Sequence, residues 1–222
     1  MPQKNPEIGN RVGIAILAKA PIPGLAKTRL IPHLGADGAA ALQRWLLQRT
    51  VAAAIAADIG PVTLWGTPTP DHPDFAPYKA DAAVNLRQQP AGDLGERMHA
   101  AIAESATPGG TLVIGTDCAL LTPERLQQAA AALIEHDALI IPAEDGGYVL
   151  IGLRQADQRV FSGIAWSTGN VMAETRERLH ALGWRWTEMS PLWDIDRPED
   201  YQRLCDHFPE AGIAIQNALA PT

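Results

Sequence analysis

Two rhythms of apolar and polar positions alternate along this chain. Short runs at Val12 to Ala18, Val62 to Trp65, Val84 to Gln88, Thr111 to Gly115, Ala138 to Pro142 and Tyr148 to Leu153 have the length of strands. Several are apolar almost throughout, the pattern of a strand buried on both faces. Between them the spacing turns helical. Leu42, Leu46, Leu47 and Val51 recur within a helix read from Gly35 to Asp58, which Gly60-Pro61 stops. Further helices are read from Gly92-Asp93 to about Ser105, from Thr122-Pro123 to about His136 and from Gly169 to Leu182. Trp184 to Glu188 reads as a short strand, and Arg197-Pro198-Glu199-Asp200 opens a last helix ending near His207. The Ala-rich segment beyond has no decisive period, and residues 1–10 read as a flexible polar tail. Asp93 is placed to cap its helix, Pro123 suits a first helical position, and Ser167 or Thr168 is placed to cap the helix that follows.

Strands that alternate with helices predict an α/β fold, a Rossmann-like, mainly parallel sheet with helices on both faces. The 222 residues suit one α/β domain spanning 1–222. A formal net charge of -7 argues against a general nucleic-acid or membrane-surface binder. No run approaches the roughly 20 apolar residues of a membrane span, and the N-terminal segment lacks an apolar signal core. Cys118 and Cys205 stand alone, with no zinc spacing and no disulfide framework, so reduced thiols and a cytoplasmic location are expected.

In so acidic a chain, positive charge has to be local. The stretch IAILAKAPIPGLAKTRL, Ile14 to Leu30, places Lys19, Lys27 and Arg29 around a loop with Pro21, Pro23 and Gly24, directly after a buried strand. Backbone N–H groups and basic side chains converge at such loops, and phosphate is the simplest guest. Solvated surface charge is the plainer alternative. A Walker A loop is excluded, because only two residues separate Gly24 from Lys27 and no glycine stands five residues before Gly24. Ligands of open α/β sheets bind at the carboxyl ends of the strands. Asp117 follows one apolar strand and can take Mg²⁺ or Mn²⁺, or merely cap a turn. Asp194-Ile195-Asp196 offers two acids on one side of an extended segment, and Asp194 or Asp196 would complete a metal site with Asp117. In Glu144-Asp145-Gly146-Gly147-Tyr148 the glycines make a turn and let a ligand approach the main chain, with Asp145 or Glu144 gripping hydroxyls. Trp166 can wall a pocket or fill the core. No G-x-S-x-G elbow is present.

The blocks K-A-P-I-P-G-L-A-K-T-R-L, G-D-L-G-E-R-M, G-T-D-C, P-A-E-D-G-G-Y-V-L-I-G-L, W-S-T and D-I-D-R-P-E-D-Y, taken together from about Ile14 to Leu204, resemble a glycosyltransferase-like family of bacterial transferases, the DUF2064 type. The resemblance implies the family-A glycosyltransferase, or nucleotide-diphospho-sugar transferase, fold. The first block is similar also to the loop of 2-phospholactate guanylyltransferase and, more distantly, of molybdenum cofactor guanylyltransferase. It implies phosphate contacts for Lys19, Lys27 and Arg29 and a metal-ligand role for Asp117, while Asp194 and Asp196 match the family's late acidic element. The loop is poorer in glycine than that of sugar-nucleotide pyrophosphorylases, which leaves the donor open.

These readings converge on a metal-dependent transferase, glycosyltransferase-like or nucleotidyltransferase, with a nucleoside triphosphate or nucleotide sugar as donor and a small-molecule acceptor. Expected catalytic residues are Lys27, Arg29 and Asp145. Lys19, Pro23, Gly24, Lys27, Arg29, Gly146 and Gly147 are expected to bind the nucleotide, and Asp117, Asp194 and Asp196 the metal. A nucleotide-binding regulator without turnover is the alternative.

Overall fold

Ile14 and Ile16 of the first strand face one side of the sheet and Ala15 and Leu17 the other, so both sides of that strand must be covered. The computed structural model describes residues 11–219, and the tail read for residues 1–10 lies outside the described residues. Its elements run β1 (Gly13–Lys19), α1 (Ile31–Ala57), β2 (Val62–Thr67), α2 (Ala76–Lys79), β3 (Val84–Gln88), α3 (Leu94–Glu104), β4 (Thr111–Ile114), α4 (Pro123–Ile134), β5 (Ala138–Pro142), β6 (Tyr148–Leu153), α5 (Val171–Ala181), β7 (Trp186–Glu188), α6 (Pro198–His207) and α7 (Pro209–Leu219).

The seven strands form one sheet in the order β3-β2-β1-β4-β6-β5-β7. All neighbours are parallel except β6, which runs antiparallel to both β4 and β5. The mainly parallel α/β sheet expected from the sequence is therefore present, with one reversed strand. The reversal follows from the short turn between β5 and β6. Gly146 adopts φ +94°, and a Cβ there would lie 2.3 Å from the Gly169 carbonyl oxygen, so this turn accepts no side chain.

One face of the sheet packs against α1 and α4 through residues such as Leu47, Val51, Leu126 and Leu133. The other is covered by α3 and α5 through Met98, Ile102, Met172 and Leu179. A third apolar cluster joins Leu30 and the first half of α1 to Trp193, Ile195, Leu204, Ala211 and Ile215. It anchors the late acidic segment beside the first loop.

Helix starts show where local chemistry was readable. Asp93 caps α3 in a full capping box with Glu96, and Thr122 caps α4 with Pro123 in its first turn. The cap expected for α5 is absent. Ser167 sits in the left-handed region at φ 64°, Thr168 Oγ1 donates to the Ala165 carbonyl at 2.7 Å, and Asn170 precedes the helix without a side-chain cap. Helix α1 begins at Ile31, ahead of the expected Gly35, because that glycine, at φ 71°, is a break within the run. The strand expected from Trp184 starts at Trp186, and the Ala-rich tail is helix α7, which buries Ala211 and Ile215.

Candidate active site

A cavity of about 630 Å³ opens where β1 and β4 end and β6 begins. Its floor is held by two buried amides. Gln43 of α1 donates to the Lys19 carbonyl at 3.2 Å and to Thr116 Oγ1 at 2.9 Å, tying the end of β1 to the end of β4. Gln89 donates to the Ala18 and Trp65 carbonyls at 3.1 and 2.9 Å, tying β1 to β2. Where strands diverge, backbone groups lose ladder partners, and these amides replace them.

Lys19 ends β1 and lines the cavity, on the sheet side that Ala15 and Leu17 share with α3. After it the chain passes Pro23 and Gly24, both exposed and outside the cavity wall, and returns through Lys27 and Arg29, which line it. Lys27 holds a left-handed backbone, φ 47° and ψ 46°. Its ammonium lies 2.6 Å from Asp117 Oδ1 and donates to the Ile195 carbonyl at 2.5 Å, and its side chain is only 5% exposed. Arg29 pairs with Asp196 at the surface.

The acidic wall comes from three segments. Asp117 follows β4, and its carbonyl accepts the Ile195 N–H at 2.9 Å. Ile195 is fully buried in the third apolar cluster, while Asp194 and Asp196 on either side of it both line the cavity. The i, i+2 spacing read in the sequence is thus realised. Asp145 lines the cavity from the β5–β6 turn and accepts the Gly147 N–H at 2.9 Å; Gly147 also lines it. Gly146 does not, because it packs on Gly169. Glu144 points outward to a bidentate pair with Arg203.

Crowding is recorded in one proton affinity. The Asp194 carboxyl is pushed up to about 6, first by burial and then by the Asp145 and Asp117 carboxylates, against the opposing pull of Lys27. Among the described residues no group of three or more His, Cys, Asp or Glu stands close enough to hold a metal by itself. Asp117 and Asp194 are hard oxygen donors in an electronegative recess, and they fit a small divalent cation that draws its other oxygens from substrate and water. Cys118 also lines the cavity, but burial raises its thiol to about 11, so it offers no thiolate. Both cysteines are free, as expected.

Sequence reasoning missed Gln43, Gln89 and Arg97 as cavity residues. Arg97 had a signal, since it lies one turn beyond the Asp93 cap and helix starts at strand ends face ligands. At the mouth Leu25 and Leu94 remain 54% and 45% exposed, an apolar lip on a polar cleft. Trp166 fills core instead of lining the cavity, packing close to Gly95 and Phe161.

Comparison with solved structures places this arrangement. The chain is similar to a candidate nucleotide-diphospho-sugar transferase from Desulfovibrio desulfuricans G20, with 26% identity over 93% of this chain and 97% of that one and a TM-score of 0.77. It shares its fold with a 4-diphosphocytidyl-2C-methyl-D-erythritol synthase from Anaerococcus prevotii DSM 20548, at 11% identity, 93% and 100% coverage and a TM-score of 0.61. A nucleotidyl transferase from Methanothermobacter thermautotrophicus is a further fold relative, at 15% identity, 90% and 99% coverage and a TM-score of 0.58. The fold and the likeness place the chain among transferases, in agreement with the transferase expected from sequence. The chain belongs to the family described as "Uncharacterized protein conserved in bacteria (DUF2064)", whose model matches residues 50–168. That segment contains Asp117 and Asp145 but neither the basic loop nor Asp194 and Asp196. No curated protein matches the sequence. No helix among the described residues is long and apolar enough to cross a membrane.

Proposed function

We propose that the protein is a divalent-metal-dependent transferase that takes a nucleoside triphosphate or nucleotide sugar as donor and passes part of it to a small acceptor in the cytoplasm. One observation carries the reading. Lys27 and Arg29 meet Asp117, Asp194 and Asp196 across a single cleft at the strand ends, Lys27 reaching the Ile195 carbonyl, 168 residues away, and Arg29 reaching Asp196, 167 residues away.

In this reading Lys19, Lys27 and Arg29 bind the phosphates, Arg29 exchanging its carboxylate partner for phosphate oxygens. Asp117 with Asp194 or Asp196 would hold Mg²⁺ or Mn²⁺, which when bound supplies charge neutralisation on the phosphate oxygens. Gly147, without a side chain, leaves the main chain open to the ligand, and Asp145 orients the acceptor. In nucleotidyl transfer an acceptor phosphate oxygen attacks the donor α-phosphorus, the bond to the β-phosphate oxygen breaks, and pyrophosphate leaves. In glycosyl transfer an acceptor hydroxyl takes the sugar carbon and a nucleoside diphosphate leaves. Either way Lys27 and Arg29 stabilise charge developing on the departing group, and no side chain becomes covalently attached.

The test incubates the protein with triphosphates and nucleotide sugars, with and without Mg²⁺ or Mn²⁺, and follows thermal stabilisation and released product. A donor that raises Tm and releases pyrophosphate or nucleoside diphosphate only with metal is expected. Saturable binding without product under any metal would make the protein a nucleotide-binding regulator instead.

A further inference from the structure

The acids at this cleft have to be held together against their own repulsion, and the hydrogen bonds that do so lie outside the cavity. Two short segments run side by side beyond β5 and β7. Ala143 and Leu192 form a parallel bridge, the Leu192 N–H donates to the Pro142 carbonyl at 3.0 Å, and the Glu144 N–H donates to the Leu192 carbonyl at 3.0 Å. The next residue of the first segment is Asp145, and two residues past Leu192 comes Asp194. Each segment thus delivers a carboxylate to the same recess, and little backbone pairing joins the two.

Arg203 of α6 fastens them from behind. Its guanidinium makes two hydrogen bonds to Glu144, at 2.8 and 3.2 Å, and lies 4.4 Å from the centroid of the Trp193 ring. Glu144 is the neighbour of Asp145, and Trp193 is the neighbour of Asp194. Helix α6 is itself rooted by the buried Leu204. A planar fork that grips a carboxylate edge-on and stacks on an indole face is a geometry that arginine supplies and lysine does not. From this geometry we infer that Arg203 is a positioning residue: without entering the cavity it holds the proposed metal donor Asp194 at a set distance from the Asp145 carboxylate, and so sets the position and charge of the donor that a divalent cation meets. The inference rests on the metal-dependent reading proposed above.

The pair is half exposed, with 48% and 52% of the two side chains accessible, so its removal leaves global stability nearly unchanged. That separates a positioning role from a merely structural one. The full chain is compared with Arg203→Ala, Arg203→Lys and Glu144→Gln by thermal melting, by backbone hydrogen exchange and by Mn²⁺ binding measured from the free-ion EPR signal. Arg203→Ala is expected to keep the wild-type Tm, to exchange about tenfold faster within residues 142–147 and 192–196 only, and to bind Mn²⁺ about tenfold more weakly. Arg203→Lys falls between, Glu144→Gln reproduces Arg203→Ala, and the double variant adds nothing. Unchanged exchange in both segments would overturn the fastening, and faster exchange with unchanged Mn²⁺ affinity would overturn the positioning role. If the wild-type chain takes up no Mn²⁺, the metal reading fails and the inference falls with it, an outcome distinct from failure of the fastening, which hydrogen exchange reads directly.

Discussion

The loop after β1 crosses the cleft at two places, and the two contacts differ in kind. At the inner one Lys27 is sealed, 5% exposed, between Asp117 and the Ile195 carbonyl. At the outer one Arg29 and Asp196 pair in solvent, 67% and 40% exposed. A sealed ammonium depends on its carboxylate even where, as with Asp117 at 56% exposed, the carboxylate itself meets water, because losing the acid leaves a desolvated cation. An exposed pair is screened by water and salt and contributes little. The inner contact therefore belongs both to the fold and to the proposed chemistry, whereas the outer one is free to trade its carboxylate for an arriving phosphate.

The inner contact should break with the largest effect. Asp117→Ala leaves the sealed Lys27 ammonium without its counter-ion, and a stability loss of about 2 kcal/mol is expected in urea melts. Once a donor is identified, turnover should fall by about 10²-fold or more while that donor still binds. A melt midpoint unchanged from wild type would refute the distinction between the two contacts.

Asp194, which feels both partners of the inner contact, sharpens the comparison through pH. Its carboxyl titrates near 6 in the folded protein instead of at the ordinary 3.8, so the native state holds this proton to higher pH than the unfolded chain does. The sign follows: the contribution is fully present below about pH 4 and is lost as pH rises through about 6. With its partial exposure discounted, the effect is about 1 kcal/mol. Metal-free protein should lose Tm between pH 4 and 6, and Asp194→Asn should abolish that slope. An identical slope in the variant would assign the titration elsewhere.

The smallest effect on stability is expected at the outer contact. Arg29→Ala should change unfolding free energy by less than about 0.5 kcal/mol. Its mark should instead be weaker triphosphate affinity, by about tenfold, with a shallower dependence on salt. A large loss of stability would show that exposure misjudges this pair.

Much of this was legible in sequence where the signal is local. The apolar runs of β1 and β4, the cap at Asp93, the helix start at Thr122-Pro123 and the same-side spacing of Asp194 and Asp196 all follow from signals within a few residues. The reversal of β6 was not read, although its signal lay in the short turn after β5, too short for the crossover that a parallel neighbour needs. Lys27 and Arg29 were singled out, but their carboxylate partners, Asp117 and Asp196, lie in the middle and near the end of the sequence, and tertiary packing such as the third apolar cluster is needed to bring the segments together. Gln43 and Gln89 escaped notice because a buried amide has the same letter as a solvated one. Pro23, Gly24 and Gly146 were expected to touch the nucleotide and stand outside the cavity wall; they shape turns whose neighbours face the ligand.

Ile195 binds the Asp117 carbonyl through its N–H and Lys27 through its carbonyl, so the last wall of the cleft is hung on the first. During synthesis, at roughly 5–20 residues per second, a growing polypeptide carries its cationic loop for many seconds before those aspartates leave the ribosome. Any product that terminates after β7 but ahead of Asp194 would keep every strand of its sheet and yet possess half a cleft.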